Sequence, residues 1–362
     1  MDQKRTNTYI VALLLAFWLM VFSLLAGAQE SYDAKKILDL EVQNGFSCGK
    51  EEYLLLEELL NAMESMAKEL EGKNVKSSVI MDSLFMLIYR DFQFEIHPEA
   101  LLSNGLKEHR LDCNYLSLLY FSVLKGRLNW DLSIIRSPGH MFIRYNYSDG
   151  SYFNYETTEG KIEDDKYYHQ KPMSKQSLQH GIYMSPVSDS VCLATSYLEM
   201  ANAVSDTNSG KVRNLCSDAI ALDPMCLPAY LRLGNMYYNN GKLKLAVECY
   251  NQILECDSLN YYAYNNLGIV YSVLGDRQLA MKNYGRALMA YSGDPSIYLN
   301  RSLEQMVLGN FEEAYTDFYK AYELLEKSEN LTEMYILMKL TEDAMISQRF
   351  CSECRVLKNV SL

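Results

Sequence analysis

The sequence has too few basic residues, and too little glycine and proline, for several classes of protein. Lys and Arg number 34 against 46 Asp and Glu, which gives a formal net charge of -12. Nucleic-acid binding depends on clustered cations that contact phosphates, so this excess of carboxylates argues against a nucleic-acid partner. With 7 Pro, 18 Gly and 49% hydrophobic residues, the chain is neither collagen-like nor disordered. Its 362 residues predict about two folded domains.

The cysteines do not form the framework of a disulfide-rich protein. There are nine, an odd number without regular spacing. Cys351 and Cys354 form a lone Cys-x-x-Cys that lacks a second pair or a histidine at ligand spacing, so we expect no metal site there. The sequence points to no cofactor. An odd number leaves at least one thiol unpaired, and Cys113 is our candidate for it.

The first 28 residues have the pattern of an export signal. Lys4 and Arg5 precede an apolar run over residues 9–25 and then an Ala-Gly-Ala sequence that ends at residue 28. We therefore expect an exported protein, periplasmic or secreted. The alternative is an uncleaved membrane anchor formed by residues 9–25, because a bilayer requires about 20 apolar residues. Contact with a membrane is expected only in that case.

The C-terminal half repeats with a period of 34 residues. Small residues fit the close contact between the two helices of a hairpin, and glycine fits the turn between them. An aromatic residue is expected where the next repeat packs. The recurring columns are Leu233-Gly234 and Leu267-Gly268; Gly241, Gly275 and Gly309; Ala246, Ala280 and Ala314; Tyr250, Tyr284 and Phe318. This pattern resembles the tetratricopeptide repeat. It predicts three copies over residues 227–327, a decayed copy over 192–226 and a capping helix over 331–347.

The resemblance also implies a binding surface. Tetratricopeptide arrays bind peptides through the first helix of each repeat, on the concave side. The positions expected there are Leu231, Asn235, Tyr238, Asn265, Ile269, Ser272, Leu299, Leu303 and Met306. None is charged, unlike the repeats that hold a partner's terminal carboxylate with Lys and Arg. The array is therefore expected either to bind a peptide or protein partner or to dock on this chain's own N-terminal half.

Three residues of the N-terminal half have the order expected of a thiol active site. Cys113 lies at the start of a predicted helix, where unpaired N–H groups and the helix dipole favour a thiolate. His140 begins a predicted strand, and Glu156 lies in the strand that forms a hairpin with it. The imidazole would complete an ion pair with the sulfur, and the carboxylate would orient the imidazole. Asn154, on the same strand face as Glu156, is a second candidate for that orienting role.

The order and spacing of these residues resemble the transglutaminase-like superfamily, whose fold is related to papain-type cysteine proteases. The matching segments are Asp112-Cys113, Pro138-Gly139-His140 and Asn154-Tyr155-Glu156-Thr157-Thr158. The resemblance covers residues 50–190 and is closest to bacterial proteins that join such a domain to tetratricopeptide repeats. Two features depart from the family pattern: the glycine that often precedes the cysteine is absent, and the acid is Glu where the family has Asp.

The two resemblances together imply the fold class: an α+β transglutaminase-like domain followed by an all-α tetratricopeptide-repeat solenoid. The implied boundaries are a signal peptide or anchor over 1–28, the transglutaminase-like domain over 29–158, a linker that packs on both halves over 159–191, the repeats with their capping helix over 192–348, and a tail over 349–362. Four large side chains of the linker are expected to anchor it, Tyr167, Tyr168, Ile182 and Tyr183.

The implied function is that of an exported cysteine hydrolase or acyltransferase that acts on peptide or protein amides, with repeats that bind protein or substrate. Cys113 would attack the carbonyl and His140 would exchange the proton. The alternative is a non-catalytic protein-interaction module with a degenerate N-terminal domain. In that case Cys113 is a core thiol, because it continues the apolar stripe of Leu116 and Leu119 on the same helix.

Overall fold

The computed structural model describes residues 33–97 and 101–325. The predicted export segment, capping helix and tail therefore lie outside the described residues. Among the helices of the two described ranges, none is both long enough and apolar enough to cross a membrane. The seven cysteines in these ranges are all free thiols.

Helices and a small sheet form the N-terminal part. The helices are α1 (Ala34–Gln43), α2 (Lys50–Gly72), α3 (Ser77–Met86), α4 (Leu102–Glu108) and α5 (Cys113–Tyr120). Both α3 and α5 continue as π-helical segments, over Leu87–Asp91 and Phe121–Arg127. The helix predicted from residue 113 is thus regular only as far as Tyr120, and its last turns widen before the chain enters the sheet.

The sheet carries two of the predicted site residues. Its antiparallel strands are β3 (Leu132–Ser137), β4 (His140–Asn146), β5 (Tyr152–Glu156) and β6 (Lys161–Glu163), in that spatial order. A separate parallel pair joins β1 (Glu95–Ile96) to β2 (Arg110–Leu111), directly before α5. In the register of β4 and β5, Arg144 faces Asn154. Strand β4 begins at His140 and pairs with β5 as predicted, whereas β6 was not predicted.

Helix α5 lies in the centre of the N-terminal core. Leu116, Leu119 and Tyr120 are fully buried there, together with Leu59 and Met63 of α2. At the other end of the helix, Asp112 accepts a hydrogen bond from the Tyr115 N–H and caps the first turn. The core therefore holds the helix, and the cap fixes where it begins.

The C-terminal part consists of four antiparallel helix pairs. They are α8 (Asp189–Asn202) with α9 (Ser209–Leu222), α10 (Leu227–Asn239) with α11 (Leu243–Cys256), α12 (Tyr261–Val273) with α13 (Arg277–Ala290), and α14 (Pro295–Leu308) with α15 (Phe311–Leu325). Between the two parts lie the short helices α6 (Asp165–Tyr168) and α7 (Lys175–Gln179). The predicted decayed copy is thus a helix pair like the others.

The repeated glycines have two different structural roles. Gly234 and Gly268 lie against the rings of Tyr250 and Tyr284, where a methyl group would collide with the aromatic side chain. Gly241, Gly275 and Gly309 follow the first helix of the last three pairs with φ of +71° to +81°, a conformation that favours glycine. Tyr250 and Tyr284 therefore pack against the glycine of their own repeat.

Residues 159–191 connect the two parts and pack on both. Tyr168 packs on Ile135 and Phe142 of the sheet. Ile182 and Tyr183 pack with residues of the array, among them Leu227, Ala246 and Tyr250. The Arg136 guanidinium of β3 also forms an ion pair of 2.9 Å with Asp223 at the end of α9. The N-terminal part and the first repeats thus share a buried junction.

Candidate active site

Cys113 is the first residue of α5. Its side chain is half-buried and lines a cavity, unlike the fully buried residues of the same helix. Its thiol donates a long hydrogen bond of 3.8 Å to Asn114 Oδ1. Because the N–H groups of a first helical turn have no partner within the helix, the sulfur lies close to the positive end of α5.

His140 begins β4 and contacts Glu156 at the end of β5. The His140 Nε2 lies 2.6 Å from Glu156 Oε2. Glu156 is fully buried, and its other oxygen accepts hydrogen bonds from the backbone N–H (3.1 Å) and the hydroxyl (2.5 Å) of Thr158. These contacts hold the carboxylate in one orientation, and the carboxylate in turn orients the imidazole.

The imidazole of His140 lines the same cavity as Cys113. Burial acts to lower the pKa of His140, but the neighbouring Cys113 and Glu156 outweigh it and raise the pKa to about 10. His140 is therefore protonated at neutral pH. An imidazolium beside a sulfur is the arrangement that a thiolate nucleophile requires.

Asn154, the second candidate for the orienting role, has other partners. It accepts a hydrogen bond of 2.8 Å from Arg144 Nε and donates one of 2.7 Å to Asp165. The strand register explains this, because it places Asn154 opposite Arg144, well along β4 from His140. Of the two candidates, Glu156 is the one in contact with the imidazole.

The turn before His140 brings two further groups to the site. Gly139 has φ of +74°, and the Lys171 ammonium lies 3.4 Å from the position that a methyl group on Gly139 would occupy. The rings of Phe142 and Tyr168 stack with centroids 3.6 Å apart, and Tyr168 is also stacked on His140 at 6.2 Å. Lys171 and Tyr168 were not predicted as site residues, since both belong to the segment interpreted as a linker.

A cavity of about 630 Å³ adjoins Cys113 and His140. One group of its lining residues comes from the N-terminal part, among them Asp112, Asn114, Gly139 and Thr158. The other comes from the junction and the first repeats, among them Ile182, Tyr183, Leu198, Glu199, Met225 and Leu227. The two halves of the chain therefore enclose the candidate active site together.

Asn114 links the cysteine to the array. Its side-chain nitrogen lies 3.1 Å from Asp112 Oδ2 and 3.0 Å from Glu199 Oε1 of α8, so the amide bridges two carboxylates. Burial raises the pKa of Asp112 to about 6, against the lowering effect of its hydrogen bonds to Tyr115 and Asn114. No local pattern could have revealed this link, because Asn114 and Glu199 are 85 positions apart.

The nine residues predicted for the concave side differ in their surroundings. Asn235 accepts hydrogen bonds from Tyr250 and Asn266, and the buried Asn265 accepts one from Asn300. Ser272 donates to Glu304, which is buried and also bonds Arg277. The remaining six are half-buried or exposed: Leu231, Tyr238, Ile269, Leu299, Leu303 and Met306.

The surroundings of these nine positions add two features to the predicted groove. The side chains of Asn235, Asn265 and Ser272 form hydrogen bonds between helices, so these polar groups stabilise the array itself. The prediction of an uncharged surface is also incomplete, because Glu304 and Arg277 adjoin Ser272. Both groups lie outside the nine positions considered, so their proximity depends on how neighbouring repeats pack.

Among the described residues, no group of three or more His, Cys, Asp or Glu side chains is arranged to hold a metal ion.

Comparisons with known proteins match part of the C-terminal half. Two family models, both described as tetratricopeptide repeat, match residues 228–258 and 249–315. Both ranges lie outside residues 50–190, to which the transglutaminase-like resemblance applies. No curated protein matches the chain.

Several solved structures are similar to parts of the chain. The crystal structure of MamA is 22% identical, with a TM-score of 0.34, and the match covers 37% of this chain and 79% of that one. The NMR structure of the first TPR domain of the human RPAP3 protein is 23% identical, with a TM-score of 0.33, and covers 35% and 97%. The crystal structure of the APC/C hetero-tetramer Cut9-Hcn1 is 16% identical, with a TM-score of 0.36, and covers 43% and 30%. The two family matches identify residues 228–315 of this chain as tetratricopeptide repeats.

Proposed function

We propose that the N-terminal part is a thiol hydrolase of transglutaminase-like fold that acts on peptide or protein amides. One observation carries this proposal: His140 lines the same cavity as Cys113 and hydrogen-bonds the buried carboxylate of Glu156, 2.6 Å away. A nucleophile at a helix start, a base beside it and an acid that orients the base are the three parts of a cysteine catalytic site.

In the proposed reaction, the Cys113 thiolate attacks the amide carbonyl carbon and a carbon–sulfur bond forms. The carbon–nitrogen bond breaks as His140 donates its proton to the departing amine. Water then attacks the thioester, His140 accepts a proton from it, and the acid is released with the thiolate restored. The backbone N–H of Cys113, at the start of α5, is our candidate donor for the oxyanion.

Acyl transfer to an amine would follow the same first step. We propose hydrolysis as the main outcome, because many bacterial members of the resembling superfamily are regarded as peptidases or amidases. Release of the acid, and not formation of a new amide, is then the product to measure.

The repeats support a protein-interaction role, since tetratricopeptide domains bind peptides or proteins. This supports a second candidate function, a non-catalytic interaction module. The comparisons favour it over the catalytic proposal, because both family matches fall within the array. In that case the N-terminal part serves as a platform, and the contacts of Cys113 have no chemical role.

Selective alkylation separates the two functions. We expect iodoacetamide at mildly acidic pH, about one unit below neutral, to modify Cys113 ahead of the other cysteines, because its sulfur lies at the start of α5 and on the same cavity as His140. Cys256 is the internal control, since it is also half-buried but burial raises its pKa. Peptide mapping by mass spectrometry measures the extent of labelling at Cys113 and at Cys256.

Equal labelling of Cys113 and Cys256, or no labelling of the native protein at Cys113, would favour the interaction module. A His140→Asn variant provides the second arm, because the selectivity for Cys113 should be lost with the imidazolium. Selective labelling that survives this change would contradict the proposed ion pair.

Export is part of the proposal, with cleavage after residue 28 and a periplasmic or secreted location. Anchoring by residues 9–25 is the alternative, and only then is a membrane involved. Sequencing of the mature amino terminus from the native host distinguishes the two: a chain that begins at residue 29 supports export, and one that retains residues 9–25 supports the anchor.

A further inference from the structure

The cavity of the candidate active site has an aliphatic wall that the N-terminal part does not supply. The wall consists of Ile182 from the junction, Leu198 from α8, Met225 from the turn before α10, and Leu227 at the start of α10. The cavity volume of about 630 Å³ lies in the range of small-ligand sites, roughly 300–1,000 Å³. The cavity therefore has room for a few residues of a peptide chain.

Packing in two core clusters holds this aliphatic wall in place. Leu198, 7% exposed, belongs to the cluster formed by α8 to α10. Ile182 and Leu227, 2% and 3% exposed, belong to the cluster around α10 to α12, and the half-buried Met225 packs against the same cluster. Because these side chains are already fixed by the protein, a ligand that contacts them loses little free energy in ordering the wall.

The junction keeps the wall close to the turn that carries His140. The Met184 N–H donates a hydrogen bond of 2.8 Å to the Arg136 carbonyl, at the free edge of β3. The Arg136 side chain in turn donates a hydrogen bond of 2.9 Å to the Ile182 carbonyl. Strand β3 ends at Ser137, which pairs with His140 in the register of the hairpin. The aliphatic wall and the imidazole are therefore positioned by the same edge of the sheet.

The charged groups of the lining do not point to a charged ligand. They are of both signs: Asp112, Glu159, Glu199, Arg136 and His140. Arg136, His140 and Glu159 each form an ion pair within the protein. The aliphatic wall is thus the feature of the cavity that can distinguish one substrate side chain from another.

We infer that the aliphatic wall binds an apolar side chain of the acyl donor, on the residue whose carbonyl carbon Cys113 attacks. The inference rests on the proposed function, since it assigns the substrate class of the same site. An apolar side chain gains free energy by leaving water, whereas a polar side chain of equal size would lose water contacts against four side chains that carry no N–H or O–H group. Leu198 and Met225 are then specificity-determining residues supplied by the repeats.

Two peptidyl chloromethyl ketones test this preference, acetyl-Ala-Leu and acetyl-Ala-Asn, whose reacting residues are similar in size and differ in polarity. With each, the Cys113 sulfur displaces chloride, so a carbon–sulfur bond forms, the carbon–chlorine bond breaks and chloride leaves. Mass spectrometry of the full chain, with peptide mapping to Cys113, gives the alkylation rate constants. Each is divided by the rate of the same reagent with free cysteine, and iodoacetamide, which carries no side chain, gives the reference rate.

We expect the leucine reagent to alkylate Cys113 about tenfold faster than the asparagine reagent, as burial of an apolar side chain would give. In Met225→Gln this ratio should fall about threefold, because glutamine keeps the length of the side chain but brings a polar amide to the wall. Met225→Leu, which keeps the wall apolar, should retain the ratio. Met173→Gln is the matched control, because Met173 is also half-buried and packs against the same cluster but does not line the cavity. Its ratio should equal that of the unmodified protein.

The outcomes distinguish failure of the inference from failure of the proposed function. Selective labelling of Cys113 by iodoacetamide without a leucine preference in the unmodified protein, or with a preference that Met225→Gln retains in full, overturns the inference and leaves the proposed function standing. Absence of selective labelling by iodoacetamide overturns the proposed function, and the substrate class with it. An iodoacetamide rate that is unchanged in the variants shows that their reactive site is intact.

Discussion

Glu156 and Asn154 occupy the same face of β5, yet their environments give them different roles. Glu156 is fully buried and bonds His140, whereas Asn154 belongs to a polar cluster with Arg144 and Asp165. A buried carboxylate stabilises an imidazolium because it supplies the opposite charge in a region of low dielectric. At the scale of single residues, the candidate site thus depends on burial as much as on residue type.

Replacing Glu156 by Gln should lower activity about a hundredfold, the scale of general acid–base effects. The raised pKa of His140, about 10, means that the imidazolium persists up to that pH. Loss of the carboxylate should move the alkaline limb of the pH profile of kcat/KM to lower pH. Asn154→Ala is the control and should cost much less, because Asn154 does not contact the imidazole. A larger loss in Asn154→Ala would return the orienting role to the amide.

Asp112 should make stability depend on pH. Burial raises its pKa to about 6, above the 3.8 of an unperturbed carboxyl. The protonated form is therefore favoured by folding, so this contribution is complete below the unfolded pKa and is lost as the pH rises through the folded pKa. Asp112→Asn removes it while keeping an oxygen for the N-cap. We expect the variant to gain on the order of 1–3 kcal/mol relative to the original chain between about pH 4 and pH 7.

Urea unfolding at the two pH values measures this difference, provided that both proteins unfold in one transition. A difference between the two proteins that is the same at both pH values would mean that Asp112 is not the titrating group. His169, an exposed histidine with no part in this cluster, provides a control substitution, His169→Gln, that should leave the pH dependence unchanged.

At the scale of elements, the repeats show why a local sequence pattern was informative. In two of the four helix pairs a glycine touches an aromatic ring of the same repeat, so the interacting residues are only sixteen positions apart, as in Gly268 and Tyr284. Contacts between consecutive elements dominate the array. A solenoid of this kind is built from neighbouring interactions, and its period is therefore visible in the sequence.

Three glycine-to-alanine substitutions in one repeat should have different effects. Gly268→Ala places a methyl group into the Tyr284 ring and should cost about 1–3 kcal/mol. Gly275→Ala strains a residue with φ of +81° and should cost about 1 kcal/mol. Gly285→Ala should instead stabilise the protein by about 0.5–1 kcal/mol, because Gly285 lies inside α13 with open space around it. Urea denaturation ranks the three, and a destabilised Gly285→Ala would contradict this packing.

At the scale of the whole molecule, the junction makes the two halves dependent on each other. Leu101 of the N-terminal part is buried among residues of α8 to α10, while Ile182 and Tyr183 pack on α10 and α11. The Arg136–Asp223 pair crosses the same region with side chains only 12% and 8% exposed. We therefore expect one cooperative unfolding transition, and resistance of residues 159–186 to proteolysis.

Asp223→Ala tests that junction, because it leaves the Arg136 guanidinium buried without its carboxylate. The expected cost is about 2–4 kcal/mol, with faster proteolysis within residues 159–186. Glu323→Ala is the matched control, since it removes an exposed ion pair with Lys320 and should cost less than about 0.5 kcal/mol. Clean cleavage of the unmodified chain into two folded pieces that do not associate would refute the single unit.

The sequence by itself determined the repeat array and the elements that carry Cys113, His140 and Glu156, because helix starts, strand alternation and a 34-residue period are properties of neighbouring residues. It did not reveal β6 or the helices of the junction, whose segments are short and lack a clear period. Only the tertiary structure decided that Glu156, and not Asn154, contacts the imidazole, since strand register sets which pairs meet across a hairpin. It likewise decided that Glu199 of the array reaches Asn114 beside the cysteine. That contact joins residues 85 positions apart through the packing of two domains, which no local pattern encodes.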